Sequence, residues 1–314
     1  MTSEPSTRPV AGEGRVFVGS CDGILTCIDP ADGSRIWTFQ TRGWVSPLLP
    51  HQGRLFFGDY DKRLYCVDMR TGDPVWSFKT KGRIHSRPEI SDDEVRFGSE
   101  GDKVYCLRAS NGEVLATRRL PGVTIWSTRK TGRYFYVTAL PPGGGGLLFC
   151  LEPRSLETGW KFQSGGALTL PVAAHGRVWV ADEFGTLTCL EEGDGKTLWA
   201  ARKSRGYLAL ADVSEDILCA GGRDGKLRCI QASSGKELWL FSTLGEISQP
   251  PVLHDRRVHF CSCDKRVYCL DQSGNELWHF ETQNEITFSP CVDGKKVYVA
   301  GLDRTLRSLE VVGN

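Results

Sequence analysis

The stretch Gly14–Asp29 reads GRVFVGSCDGILTCID, and related stretches recur seven more times along the 314-residue chain. In each copy, a short alternating segment leads through a polar turn to a second alternating segment. The other copies begin at Gly53, Asp93, Gly132, Gly176, Asp216, Asp255 and Gly294. Because an internal period of about 20–50 residues is typical of solenoids, propellers and arrays, this repeat decides the fold class.

Each unit predicts four short antiparallel strands. In the second unit, Arg54–Phe57 and Arg63–Val67 read as strands around a polar turn, and Trp76-Ser77-Phe78 marks the strand that follows. A Pro-containing stretch such as Ser46–Leu49 precedes each copy and reads as the first strand. Four short strands in roughly 40 residues, without helical periodicity, indicate the blade of a β-propeller.

Two residue types keep register with this repeat, at spacings that are mostly 39 or 40 residues. Tryptophan occupies one position, at Trp37, Trp76, Trp160, Trp199, Trp239 and Trp278. Cysteine occupies another, at Cys27, Cys66, Cys106, Cys150, Cys189, Cys229 and Cys269, with Ser308 in the eighth unit. We predict an all-β fold, a single propeller domain over residues 1–314 with about eight four-stranded blades; seven blades is the alternative.

The last unit ends early. Aligned on the seventh unit, Gly313-Asn314 matches Gly274-Asn275, so we expect the eighth blade to lack its outer strand.

The segment Asp68–Trp76, DMRTGDPVW, resembles the tryptophan-docking motif of the pyrroloquinoline-quinone-like (PQQ-like) repeat family. Similar stretches occur at Asp29–Trp37, Gln231–Trp239 and Asp271–Trp278, and the resemblance covers nearly the whole chain. It implies a propeller in which the tryptophan of one blade packs against the next blade. Dehydrogenases of this family use adjacent cysteines and a calcium site. Since this sequence has no adjacent cysteine pair, we expect no quinone, no other cofactor and no metal.

The amino-acid composition limits the kinds of partner and the cellular compartment that we expect. Lys and Arg number 39 against 38 Asp and Glu, and this balance argues against nucleic acid. No apolar run reaches the length of about 18 residues that a spanning helix needs, and the N-terminal residues resemble no secretory signal. The 12 cysteines form no CxxC pair and suit a reducing compartment, so we expect a cytoplasmic protein that does not bind membranes.

The connections that enter the innermost strands, together with the turns between second and third strands, crowd one face of a propeller. Loops on a rigid scaffold commonly carry binding residues, so we predict a ligand-binding site at this mouth. The candidate residues are Trp44, Arg83, His85, Arg87, Trp126, Arg129, Tyr207, Glu246, Gln249, Glu285 and Phe288. Of these, His85, Glu246 and Glu285 are also candidate acid/base groups.

Two functions of different class fit these residues. The first is a non-catalytic recognition module or scaffold that binds a protein, a peptide or a small ligand at the mouth. It predicts a shallow face on which Arg83, His85 and Glu246 lie far apart. The alternative is an enzyme for a small anionic or zwitterionic metabolite, which needs His85 close to a carboxylate in a deep pocket. The sequence contains no assembled catalytic motif that would favour the enzyme hypothesis.

Overall fold

The computed structural model describes residues 3–203, 206, 208–286 and 288–310, without the side chains of Trp126 and Leu208. These residues form eight antiparallel sheets, the blades of an eight-bladed β-propeller. The predicted fold is therefore confirmed. The described residues include no helix that is long and apolar enough to cross a membrane.

In every blade, the strands follow one another in chain order from the channel outwards. Blade 1 contains β1 (Val10–Gly12), β2 (Arg15–Gly19), β3 (Ile24–Ile28) and β4 (Arg35–Gln40), and blade 2 contains β5 (Leu49–His51), β6 (Arg54–Gly58), β7 (Arg63–Asp68) and β8 (Pro74–Lys79). Blade 3 contains β9 (Glu89–Ser91), β10 (Glu94–Ser99), β11 (Lys103–Arg108) and β12 (Val114–Arg119), and blade 4 contains β13 (Thr124–Thr131), β14 (Tyr134–Leu140), β15 (Gly146–Leu151) and β16 (Thr158–Ser164).

Blade 5 contains β17 (Val172–Ala174), β18 (Arg177–Ala181), β19 (Thr186–Glu191) and β20 (Thr197–Arg202), and blade 6 contains β21 (Leu208–Leu210), β22 (Ile217–Gly222), β23 (Lys226–Gln231) and β24 (Glu237–Ser242). Blade 7 contains β25 (Val252–His254), β26 (Arg257–Ser262), β27 (Arg266–Asp271) and β28 (Glu276–Glu281), and blade 8 contains β29 (Cys291–Asp293), β30 (Lys296–Ala300) and β31 (Leu306–Glu310). As the sequence predicts, blade 8 has three strands within the described residues.

The hydrophobic core lies between the blades. Alternate residues of each strand point to opposite faces of a sheet, so one set packs on the preceding blade and the other on the following one. Leu25 and Cys27, for example, pack with Phe57 and Val67 of blade 2. Seven such clusters fill the joints from blade 1/2 to blade 7/8, whereas the described residues form none between blades 8 and 1.

An indole ring bridges most of these joints. The Nε1 atom of Trp37 donates a hydrogen bond to the carbonyl oxygen of Met69 in blade 2, at 3.1 Å. The ring itself lies against Gly72, where a Cβ atom would be 2.7 Å from the indole. Gly72 has a φ of +80°, so glycine serves both the turn and the close approach.

The joint between blades 3 and 4 uses a different pair. Ala116 occupies the tryptophan position of β12, and Leu156 occupies the position of the turn glycine, with a φ of +57°. Leu156 is fully buried in the cluster against which Ala116 packs. A large turn residue therefore fills the space that a tryptophan fills elsewhere.

Threonine hydroxyls fix the connections on the entry face, the face that carries the connections into the first strands. Thr41 Oγ1 lies 2.9 Å from the carbonyl oxygen of Gly23 and 2.6 Å from that of Gly43. Thr80 makes the same pair of contacts one blade later, with Lys62 and Gly82. Each hydroxyl ties the exit from a fourth strand to a turn of its own blade, so the loops beyond it start from a fixed point.

Candidate functional site

The first group of predicted residues lies where blades 1 to 3 meet on the entry face. The carbonyl oxygen of Trp44 accepts a hydrogen bond from Tyr60 N (3.1 Å), and that of Arg83 accepts one from Glu100 N (2.9 Å). Each bond joins a connection to the turn of the next blade. Together with the hydroxyls of Thr41 and Thr80, these bonds bring side chains of the connections and of the turns next to one another.

We call Trp44, Tyr60, Arg83, His85 and Glu100 the rim cluster. The rings of Trp44 and Tyr60 are stacked, with centroids 5.3 Å apart, and the guanidinium of Arg83 lies 5.7 Å from the Tyr60 centroid. His85 meets Tyr60 edge-on at 4.7 Å.

The acidic member of the rim cluster joins its two basic members. Glu100 lies 2.5 Å from His85 Nε2 and 3.8 Å from Arg83 Nε. Burial and the neighbouring Glu100 carboxylate raise the pKa of the Tyr60 phenol, and Arg83 acts in the opposite direction.

The rim cluster is a surface and not an enclosed pocket. Trp44 is 49% exposed, and the side chain of Arg83 is 54% exposed. His85 therefore has the carboxylate that the enzyme hypothesis requires, but the group lies open on a face. Such a group offers an aromatic platform beside a guanidinium, which suits apolar and carboxylate groups of a second molecule.

Two other predicted residues, Arg87 and Arg129, point into the channel and belong to a different group. Arg129 forms an ion pair with Asp212. The Nε atom of Arg87 is buried and has no hydrogen-bond partner among the described residues. Arg8, Arg87, Glu89, Arg129 and Asp212 interact electrostatically, and we call them the channel cluster.

Charge is not balanced within the channel cluster, which has three guanidinium groups and two carboxylates. Burial raises the pKa of Glu89 to about 7, and Asp212 acts in the same direction, while Arg87 and Arg129 oppose the rise. Burial and repulsion by Arg87 lower the pKa of Arg8. The excess of guanidinium groups can accommodate one carboxylate or phosphate group.

The remaining predicted residues lie on the entry face at other joints than the rim cluster. Glu246 and Gln249 lie in the connection from blade 6 to blade 7, and Glu285 and Phe288 in the next one. Burial raises the pKa of the Cys263 thiol, and the negative charges of Glu285 and Glu246 raise it further. Both carboxylates therefore lie near Cys263. The joint of blades 6 and 7 is four blades from that of blades 2 and 3. The recognition hypothesis expected this separation of Glu246 from Arg83 and His85.

The structure leaves two predicted side chains undescribed. Tyr207 lies outside the described residues, and Trp126 is described only by its backbone, at the bulge of β13.

Sequence reasoning missed Tyr60 and Glu100. Both lie in the turn between second and third strands, and none of the predicted residues came from these turns. The signal was available, because Tyr60 directly follows a buried turn aspartate, Asp59, and that position changes chemistry from blade to blade. Among the described residues, no group of three or more His, Cys, Asp or Glu side chains is arranged to hold a metal ion.

A family model of PQQ-like repeats, described as the outer membrane protein assembly factor BamB, matches residues 2–129, 128–239 and 223–313. These matches together span nearly the whole chain. The chain belongs to the PQQ-like β-propeller family. No curated protein matches this PQQ-like propeller significantly.

Solved structures share the fold at low sequence identity. The computationally designed Ika8 protein aligns with a TM-score of 0.87 and 17% identity, covering 99% of this chain and 97% of its own. BamB from Moraxella catarrhalis aligns with a TM-score of 0.76 and 15% identity, covering 97% and 96%. A quinohemoprotein alcohol dehydrogenase from Pseudomonas putida aligns with a TM-score of 0.77 and 14% identity, covering 96% of this chain and 71% of its own. At these identities, the PQQ-like propeller shares an architecture with an assembly factor and with an enzyme.

Proposed function

We propose that this PQQ-like propeller is a recognition module that binds a protein or peptide partner on its entry face, with the rim cluster as the main contact. The observation that carries the proposal is the half-exposed Trp44 ring stacked on Tyr60, with Arg83 over the same tyrosine. Tryptophan, tyrosine and arginine are the residue types that dominate binding hot spots. The fold agrees with this role in general terms, since the family model is that of a protein assembly factor.

Other exposed apolar residues on the entry face support a macromolecular partner. Phe184, in a turn of blade 5, is 50% exposed, and Leu244, in the connection after β24, is 91% exposed. Exposed apolar side chains that are rimmed by polar groups are typical of interaction surfaces. A partner that spans the face would present apolar groups to Trp44 and a carboxylate to Arg83.

The test is photo-crosslinking from the rim cluster. A photoreactive phenylalanine analogue at position 44 should capture a defined partner, whereas the same analogue at Leu277, which is 48% exposed on an outer strand, should not. In a binding assay with the captured partner, Trp44→Ala and Arg83→Ala should each weaken the affinity at least about tenfold, as expected for hot-spot residues. Full affinity in both variants would show that the rim cluster is not the contact.

The alternative, a small anionic ligand in the channel, is supported by Arg87, whose Nε atom is buried without a partner among the described residues. It predicts a different response to substitution. Arg87→Ala, and not Trp44→Ala, would then abolish the rise in melting temperature that small carboxylates or phosphates cause.

We also propose that the protein works in the cytoplasm. All 12 cysteines are free thiols in the described structure, as expected in a reducing compartment. Fractionation of the native cells checks this location, and recovery with envelope proteins would contradict it.

A further inference from the structure

Blade 6 places two cysteines directly opposite each other in its sheet. Cys219 of β22 pairs with Cys229 of β23, and Cys229 occupies the cysteine position of the repeat. In the other blades, the residue opposite that position is large. These opposing residues are Phe17, Phe56, Arg96, Tyr136, Trp179, His259 and, opposite Ser308, Tyr298. Within the described strands, two thiols therefore meet at this pair in blade 6 alone.

The hydrogen bonds between the two strands define the geometry of this pair. Ala232 N donates a hydrogen bond to Asp216 O at 2.8 Å, so these opposite residues form a hydrogen-bonded pair. Hydrogen-bonded and non-hydrogen-bonded pairs alternate along an antiparallel ladder. Cys219 and Cys229 lie three pairs further along, so theirs is a non-hydrogen-bonded pair. In such pairs the Cα atoms are about 4.5 Å apart, and the side chains approach each other most closely.

This geometry matches that of a disulfide bond. Disulfides join residues whose Cα atoms are about 4.4–6.8 Å apart. Directly opposite side chains of an antiparallel pair also project from the same face of the sheet. Both thiols accordingly lie in one buried cluster, between blades 6 and 7, which also contains Phe260. The two strands can therefore be joined through these sulfurs without a large rearrangement of the backbone.

The two thiols already interact in the reduced state. The hydrogen bond with Cys229 raises the pKa of Cys219 well above its ordinary value, and burial acts in the same direction. The same hydrogen bond lowers the pKa of Cys229. Cys219 thus keeps its proton and donates it, and Cys229 carries the charge when the pair loses a proton. The thiolate is the form of cysteine that reacts with oxidants.

We propose that Cys219 and Cys229 are a redox-active pair, which a peroxide oxidises to a reversible disulfide between β22 and β23. This modification site goes beyond the recognition function proposed above. It is independent of the rim cluster, which lies where blades 1 to 3 meet.

The oxidation has two steps. The thiolate sulfur of Cys229 attacks one oxygen of hydrogen peroxide, the O–O bond breaks, and hydroxide leaves, so that Cys229 becomes a sulfenic acid. The sulfur of Cys219 then attacks the sulfenic sulfur, the S–O bond breaks, and water leaves with the proton of Cys219. Overall, two thiols lose two electrons, hydrogen peroxide gains them, and two water molecules form once the hydroxide has taken up the first proton.

Burial determines when this reaction takes place. Both sulfurs are fully enclosed, so a small oxidant reaches them when blade 6 opens locally. The disulfide would then restrain the blade against which Ile247, in the connection from blade 6 to blade 7, packs. In a reducing compartment, cellular thiols return the pair to the free state that the structure describes.

Peptide mapping of the full chain tests the proposal. The native protein is treated with hydrogen peroxide, alkylated in denaturant and digested with trypsin. Cys219 and Cys229 fall in different tryptic peptides, residues 206–223 and 229–236, and each peptide contains a single cysteine. We expect these peptides to be joined by a bond that dithiothreitol cleaves. Their linked product should exceed that of any other two cysteine peptides at least about tenfold, because this pair already has the geometry of a disulfide.

Variants separate the effect of the pair from general reactivity. Cys219→Ala leaves Cys229 without its partner and should abolish the linked product. Cys66→Ala is the matched control, since Cys66 holds the equivalent position of blade 2 opposite Phe56, and it should leave the linked product unchanged. If the melting curve shows that Cys219→Ala does not fold, Cys229→Ala serves in its place. Mapping of the wild type needs neither variant.

Three results would overturn the proposal. One is the absence of linked peptides after a peroxide treatment that oxidises Cys263, which is less buried. Another is a link that forms in urea but not in the native chain, which would show that the folded blade does not allow the reaction. A third is linkage of Cys219 or Cys229 mainly to a different cysteine.

Discussion

At the scale of single residues, His259 has an unusual environment for a titratable group. It is 1% exposed, at a repeat position that is aromatic in five other blades, namely at Phe17, Phe56, Tyr136, Trp179 and Tyr298. Its Nδ1 atom has no hydrogen-bond partner among the described residues, and its ring lies 6.0 Å from that of Trp278. Burial lowers the pKa of His259 to about 4.

We expect His259→Phe to raise the free energy of unfolding at pH 7 by about 1 kcal/mol, because it removes a buried polar atom that lacks a partner. The substitution should also reduce the loss of stability at acid pH. In the wild type, the unfolded histidine binds a proton below about pH 6.5 and the folded one only below about 4, so stability falls between these values by up to about 3 kcal/mol.

Urea unfolding of the wild type and the variant between pH 4 and 7 measures both effects of His259→Phe. His279→Phe, at an exposed position of the same blade, is the control for the substitution. If the free energy of unfolding of His259→Phe falls with pH as steeply as that of the wild type, another group is responsible for the titration.

At the scale of elements, the joints between blades use two solutions to the same packing problem. Most joints pair a large residue on the outer strand with a glycine in the next turn, as Trp76 does with Gly112. The joint of blades 3 and 4 pairs the small Ala116 with the buried Leu156. In both arrangements one large side chain fills the space, so the two positions should be energetically coupled.

A double-mutant cycle tests this coupling. Ala116→Trp alone should destabilise the protein by about 1–3 kcal/mol through overpacking against Leu156, and Leu156→Gly alone by about 2–5 kcal/mol through the cavity it leaves. The double variant restores the pair used by the other blades and should recover most of the loss. A coupling energy of about 2 kcal/mol or more in denaturant titrations is expected.

The solvent-facing Val114, which is 46% exposed on the same strand, offers the control Val114→Trp, with an effect close to zero. Additive effects of Ala116→Trp and Leu156→Gly would show that the two positions do not share one space.

At the scale of the whole molecule, the described residues form fewer buried apolar contacts at the joint of blades 8 and 1 than at the other joints. Buried apolar clusters of described residues hold the joints from blade 1/2 to blade 7/8. Blades 8 and 1 meet mainly through their first strands, β29 and β1. Lys296 Nζ adds a hydrogen bond to the carbonyl oxygen of Pro30, at 3.5 Å.

We therefore expect the ring to open first between blades 8 and 1. Native-state hydrogen exchange should show faster exchange in β30 and β31 than in the equivalent strands β26 and β27 of blade 7, because regions with few buried apolar contacts open at lower free energy. Equal protection of the two blades would mean that the ring opens as one unit.

Part of the candidate site could be predicted from the sequence. Trp44, Arg83 and His85 were predicted as binding residues on one face, and the structure brings them together around Tyr60. Arg87 was placed beside them, although it points into the channel. Glu246 and Glu285 lie in connections on the same face, on other blades than Arg83. Repeat position identifies the face on which a residue lies, but distance across the ring is not encoded locally.

The sequence by itself indicated a propeller of about eight blades, the order of their strands and the three-stranded eighth blade, and the structure decided between eight blades and seven. These features follow from two patterns in the sequence. One is the two-residue alternation of each strand, and the other is the regular spacing of tryptophan and cysteine from unit to unit. Only the tertiary structure decided which side chains meet. The stack of Trp44 on Tyr60 joins residues of successive units, and the ion pair of Arg129 with Asp212 joins blade 4 to blade 6. Such contacts depend on how the blades are arranged around the ring, and closure of the ring sets that arrangement for all blades together.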